Sequence, residues 1–209
     1  MIAASEALTR LRDGNRRFVA NRTAGSALPD PERRAALVSG QEPFAIVLGC
    51  SDSRVPAELV FDQGFGDLFV IRVAGNVAAP SQVGSVEYAA SHFGTRLVVV
   101  VGHSRCGAVA ATLEEVMGRS TARSPNLRSI VELVRPPLET LLSGRHAADP
   151  DALMREAVRA NVRASANHLR HGSELLERLI REDGLLVVGA ECSLESGVVS
   201  FFDGIEEAG

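Results

Sequence analysis

The 209-residue chain contains no tryptophan, a single tyrosine, and no lysine among its 22 basic residues. Without a lysine amine, neither Schiff-base catalysis nor a nucleotide-binding P-loop is open to it. Cysteine is scarce as well. Cys50, Cys106 and Cys192 make an odd total in a chain much larger than a disulfide-stapled scaffold, so the reducing cytoplasm is the expected compartment. The net charge is −4 and the arginines are scattered, which leaves no basic stripe for a phosphate backbone, and no nucleic acid partner is expected. Long apolar runs are also missing. Stretches such as Leu97 to Val101 fall far short of the roughly 20 residues needed to span a bilayer, so no membrane association is expected. The opening Met1 to Ala20 mixes Arg10, Arg12, Arg16 and Arg17 with Glu6 and Asp13, and does not read as a secretory signal.

What the chain does have is 45% hydrophobic residues in an ordered pattern. Four short runs, Phe44 to Leu48, Leu68 to Val73, Leu97 to Val101 and Leu185 to Val188, are apolar throughout, as strands buried on both faces must be. Helical periodicity fills the intervals at Gln82 to Phe93, Ala108 to Met117, Leu127 to Leu142, Ala152 to Arg170 and Ser173 to Arg181. Strands separated by helices predict an α/β fold with a mostly parallel four-stranded sheet flanked by helices. No linker divides the chain, so one domain over residues 1–209 is expected, with a helical arm over 1–40. The arm begins as an amphipathic helix on Leu8, Leu11, Phe18 and Val19, with Ser5 as its expected cap, ends near Asn21 to Gly25, and continues through Pro29 and Pro31. The loosest segments are Arg119 to Pro125 and the turn around Gly144 to Pro150.

Two of the strands run into residues with distinctive chemistry. The first leads to Gly49-Cys50-Ser51-Asp52-Ser53-Arg54 and the third to Gly102-His103-Ser104-Arg105-Cys106-Gly107. Both segments lie at carboxyl strand ends, the edge where ligands settle in open α/β sheets. Convergence there brings together the thiolate and imidazole ligands that Zn²⁺ prefers: His103 and Cys106 from one turn, Cys50 from the other. Asp52 either completes the tetrahedron or leaves the fourth place to water, and the open case is a catalytic site.

These motifs resemble the β-class carbonic anhydrases, as do Gly66-Asp67-Leu68-Phe69-Val70-Ile71-Arg72-Val73-Ala74-Gly75-Asn76, Asn15-Arg16-Arg17-Phe18 in the opening helix, and Val187-Val188-Gly189-Ala190 with Gly197-Val198-Val199 near the end. The resemblance covers most of the chain. It implies a zinc lyase that interconverts carbon dioxide and bicarbonate through zinc-bound hydroxide, with Cys50, His103 and Cys106 as ligands and Asp52 and Arg54 as a catalytic dyad. In that family the aspartate either accepts a hydrogen bond from the bound water or swings in as a fourth ligand, so Asp52 ligates only in a closed state. The resemblance further implies substrate positioning by Gln41 and an apolar pocket of Phe69 and Tyr88, contributed across a dimer interface. A homodimer or a dimer of dimers is therefore expected.

Charge counting adds an expectation about pH. Two thiolates and a neutral imidazole cancel the charge of Zn²⁺, which acidifies water less than a three-histidine site does, so activity should rise toward alkaline pH. Some members of the family hold bicarbonate at an inhibitory side site built from a tryptophan, an arginine and a tyrosine. Here Val47 stands at the tryptophan's place, Arg72 matches the arginine, and Glu191-Cys192 replaces a tyrosine-containing pair, so that site is expected to be missing or altered.

The same residues also admit blander readings. A Cys/His zinc site can be purely structural, although such sites usually gather four Cys/His ligands. Ser51, Ser53 and Ser104 lack the Gly-x-Ser-x-Gly elbow of a serine hydrolase. Cys192 reads as a buried inert thiol, and His92, His146, His168 and His171 as structural or solvated. Two alternatives remain: hydrolysis of carbonyl sulfide or carbon disulfide on the same scaffold, and a non-catalytic zinc-binding paralogue.

Overall fold

The structure is a computed structural model that describes residues 2–23, 31–120, 124–144 and 149–205. Gly25, Pro29 and His146 lie outside the described residues, as do positions 121–123 and 145–148 of the two loose segments.

Five strands form one sheet: β1 (Ala45–Gly49), β2 (Leu68–Arg72), β3 (Leu97–His103), β4 (Leu186–Cys192) and β5 (Val199–Asp203), in the order β2-β1-β3-β4-β5. The first four are mutually parallel and β5 runs antiparallel to β4. The mostly parallel sheet agrees with the sequence reading; its strand count does not. The sequence pattern gave four strands because Val199–Asp203 is largely half-exposed and lacks the continuous apolar run of the others. β3 and β4 also extend beyond the expected ends, to His103 and Cys192.

Helices cover both faces. The helices are α1 (Ala4–Val19), α2 (Pro31–Ala36), α3 (Ala57–Val60), α4 (Pro80–His92), α5 (Gly107–Val116), α6 (Pro125–Gly144), α7 (Pro150–His171) and α8 (Glu174–Glu182). Alternate side chains of each strand face opposite layers. Ile46, Leu48, Val98 and Val100 pack against α4, α7 and α8. Ala45, Val47, Val99 and Val101 meet α1 and α3 on the other face. A strand so sandwiched has no room for polar alternation, because each buried aliphatic side chain contributes roughly 1.5–3 kcal/mol.

The arm is less independent than its name suggests, since α1 buries Ala7, Leu8 and Leu11 in the same chain's core. Gly14 permits that approach: a Cβ there would lie 1.8 Å from the Phe61 carbonyl oxygen. The expected Ser5 cap is corrected. The N-cap is Ala3, with no side-chain cap, and Ser5 lies inside the helix, where its carbonyl accepts a bond from Thr9 Oγ1 at 2.9 Å. The short α3 had no periodic signature to find.

From β1 the chain crosses to β2 on one side, then returns past β1 to β3 on the other. The connections therefore diverge between β1 and β3, and such a reversal opens a crevice at the carboxyl ends of the two strands.

Candidate metal centre

Each side of that crevice supplies one loop. Cys50 directly follows β1, and its loop is held against β2 by Val73 N–H donating to Gly49 O at 3.2 Å and Ser51 N–H to Val73 O at 3.3 Å. His103 is the last residue of β3, fully buried, and Cys106 is the N-cap of α5 at 1% exposure. Between them Arg105 takes a left-handed conformation (φ 56°) that turns the chain sharply. Ser104 N–H, donating to Cys192 O at 3.0 Å, ties this turn to β4.

The ligand atoms of Cys50, His103 and Cys106 all lie within 4.8 Å of one another, and all three residues are buried. His103 Nδ1 lies 3.0 Å from the Ser104 carbonyl, which can only accept, so the proton sits on Nδ1 and a lone pair on Nε2. Nε2 is buried with no hydrogen-bond partner among the described residues. An imidazole nitrogen orphaned between two sulfurs fits a borderline-soft divalent ion, bonded at roughly 2.3 Å to sulfur and 2.0–2.1 Å to nitrogen. The two thiols share their ionisation unequally. The hydrogen bond from the facing Cys106 thiol pulls Cys50 well below its ordinary value, overcoming burial, whereas Cys106 is pushed up because that same hydrogen bond, burial and the negative charge of Cys50 all hold its proton in place. Burial opposes protonation of His103, but the adjacent Cys50 outweighs it and raises the imidazole.

Asp52 and Arg54 stand at the rim. Arg54 donates from Nε to Asp52 Oδ1 at 2.8 Å and from Nη2 to Oδ2 at 2.6 Å. This side-chain pairing, ahead of every other influence, holds the Asp52 carboxyl far below the usual carboxylate range. Asp52 Oδ2 is 3.8 Å from His103 Nε2, so the carboxylate adjoins the three ligands while remaining committed to Arg54. Arg72 braces the loop from β2, donating to Cys50 O at 3.0 Å and to Asp52 O at 2.6 Å.

Gln41, Phe69 and Tyr88 are not brought to this centre within one chain. Gln41 is exposed ahead of β1, and Phe69 pairs in register with Ile46 near the start of β2. Tyr88 is 51% exposed on α4 with its ring 6.2 Å from that of Phe69. All three mark the amino edge of the sheet, a strand length away from Cys50. A residue nine positions before Cys50 must fall there, since β1 occupies the interval.

Val47 is fully buried, and with Cys50 and Cys192 it lines a cavity of about 10 Å³. Cys192 is 2% exposed, and burial, aided by the charge of Glu191, pushes its thiol up to about 11. Glu191 turns to the opposite face and accepts from Arg159 Nε at 2.7 Å. His92 stacks on Tyr88 with ring centroids 5.0 Å apart.

Sequence reasoning missed Gly75 and Asn161. The Gly75 N–H donates to Cys50 Sγ at 3.4 Å, and Asn161 Nδ2 donates to Gly75 O at 2.7 Å. One signal was present: Asn161 places an amide on the inward stripe of α7, among Ala157, Val158, Val162 and Leu169.

Strand ends that gather two thiols and an imidazole beside an Asp–Arg pair define an α/β protein with a candidate metal centre at its sheet's carboxyl edge. The family model for carbonic anhydrase matches residues 45–199. The chain belongs to the β-carbonic anhydrases, a family of enzymes. It is 38% identical over 201 residues to carbonic anhydrase 2 of Mycobacterium tuberculosis, covering 95% of this chain and 93% of that one. It is 47% identical over 137 residues to a carbonic anhydrase of Mycolicibacterium smegmatis, covering 66% and 64%. Among solved structures, the β-carbonic anhydrase CafA of Aspergillus fumigatus superposes with a TM-score of 0.75 at 27% identity, over 97% of this chain and 91% of that one.

Proposed function

We propose that the chain catalyses the reversible hydration of carbon dioxide to bicarbonate and a proton, with zinc held by Cys50, His103 and Cys106. The observation that carries this reading is the buried Cys-His-Cys group, with its orphaned Nε2, beside a carboxylate clamped by arginine. Zinc in that group supplies Lewis acidity, which brings the ionisation of a water molecule down toward neutral pH.

The chain's own residues do the rest. Arg54 keeps Asp52 anionic and holds it beside the ligands, where Oδ2 would accept a hydrogen bond from the attacking water and orient it. This is the open arrangement; release of Asp52 by Arg54 would let it close as a fourth ligand. Gln41, Phe69 and Tyr88 line the substrate pocket of a second copy, the amide receiving charge as bicarbonate forms and the rings accommodating apolar CO₂. Their place on the far edge of the sheet supports a homodimer, or a dimer of dimers, as the active assembly. The inhibitory side site is read as missing or altered, a reading supported by the void of about 10 Å³ at Val47 and Cys192, which holds at most one water. The chain acts as one domain. Cytoplasmic residence is supported by three free cysteines, and no described helix is long and apolar enough to cross a membrane.

Stopped-flow CO₂ hydration, run beside sulfide release from carbonyl sulfide and carbon disulfide, tests the proposal. Hydration by the zinc-loaded protein supports it. Sulfide release without hydration would assign the hydrolase activity instead, and neither activity in a zinc-loaded protein would assign a binding role.

A further inference from the structure

The hydrogen bond from Gly75 to the Cys50 sulfur depends on a residue far away in sequence. Gly75 sits in the 3₁₀ turn Ala74–Asn76 that follows β2, with φ 72° and ψ 15°, and Asn76 beside it is also left-handed at φ 46°. Two successive left-handed residues are an uncommon backbone state that persists only where surrounding structure holds it. A Cβ on Gly75 would meet the Ala108 Cβ at 3.1 Å. What holds the turn is Asn76 N–H on Val73 O at 3.0 Å from within, and Asn161 Nδ2 on Gly75 O at 2.7 Å from α7.

Stability alone explains Asn161 poorly. It is 1% exposed, and its Oδ1 has no partner among the described residues; Asn76 Nδ2, equally buried, has none either. A half-satisfied buried amide costs about 1–3 kcal/mol for each group left unpaired, so a leucine on this stripe would serve packing better. The asparagine instead anchors the Gly75 carbonyl, on the peptide plane adjoining the one whose N–H meets the sulfur.

We propose that Asn161 is a positioning residue of the metal centre: by anchoring the Gly75 carbonyl it holds the left-handed turn in which the Gly75 N–H meets Cys50 Sγ, and so sets how much electron density that thiolate donates to a bound ion. This rests on the metal-centre reading given above. Partners beyond the ligands orient them and tune the ion. A thiolate that loses its N–H donor becomes a stronger electron donor, which lowers the energy of sulfur-to-metal charge transfer.

The test uses the full chain loaded with cobalt(II), compared with Asn161→Leu. The variant should move the sulfur-to-cobalt charge-transfer band to longer wavelength, while its far-ultraviolet circular dichroism stays that of the wild type. A folded variant with an unchanged band overturns the proposal. Should Asn161→Leu fail to fold, ¹¹³Cd-loaded, ¹⁵N-labelled wild type decides: the Gly75 amide proton should show scalar coupling to cadmium through the sulfur, and absence of coupling overturns the hydrogen bond. Wild-type protein with no sulfur-to-cobalt band at all would overturn the metal-centre reading, and this inference with it.

Discussion

Asn15 of α1 accepts a hydrogen bond from the Val199 N–H of β5 at 2.9 Å, joining residues 184 positions apart. The same side chain donates to Val60 O at 3.0 Å and Gly197 O at 2.9 Å, so one amide joins the first helix, the last residue of α3 and the approach to the edge strand. Asn15→Leu strands buried partners at about 1–3 kcal/mol each. A net loss of roughly 2–4 kcal/mol is expected in urea unfolding, with hydration per folded molecule unchanged. An unaltered midpoint would contradict this account of how α1 is held.

On the proposed mechanism, the Asp52–Arg54 clamp serves the reaction and not the binding of the ion. Asp52→Asn and Arg54→Ala should each lower CO₂ hydration by about 10²–10⁴-fold, the range typical of a lost acid-base group, while zinc content stays at wild-type level. Hydration that survives either change would remove the pair from the mechanism.

Metal analysis should find about one zinc per chain, and Cys106→Ser should lose both zinc and hydration. Cys192 should behave differently. Its folded thiol titrates at about 11 and is 2% exposed, so in native protein at pH 8 it resists thiol reagents until the chain unfolds. The sign of its linkage follows: the neutral thiol favours the fold below the unfolded value near 9, and that contribution drains away as pH rises toward 11. Rapid native labelling of Cys192 at pH 8 would show that it is accessible.

Hydration should climb between pH 6 and pH 9. Two thiolates and one neutral imidazole cancel the ion's charge and leave it a weaker acidifier of water than a three-histidine site. A flat profile over that range would contradict the ligand set.

Much of this was legible in the chain. The strands β1 to β4 are uniformly apolar because both their faces are covered, and their loops carry Cys50, His103 and Cys106 in motifs that stand out at once. β5 escaped because only Val199 is buried on it. Gln41, Phe69 and Tyr88 could be picked out by resemblance, yet their position opposite the metal centre follows only from where β1 and β2 begin. Asn161 was hidden for a different reason: its partner is a backbone carbonyl, and no spacing rule links a helix residue to a peptide group brought near it by tertiary packing.

The divergence of connections between β1 and β3 has a consequence for how the molecule comes together. Until those two strands lie side by side, the chain presents only a His-x-x-Cys pair, too few donors to retain zinc against competing chelators. On the proposed ligand set, zinc would be captured only after the central seam has closed, and it would then pin β1 to β3 at their carboxyl ends, so that stripping it should loosen that end of the seam first.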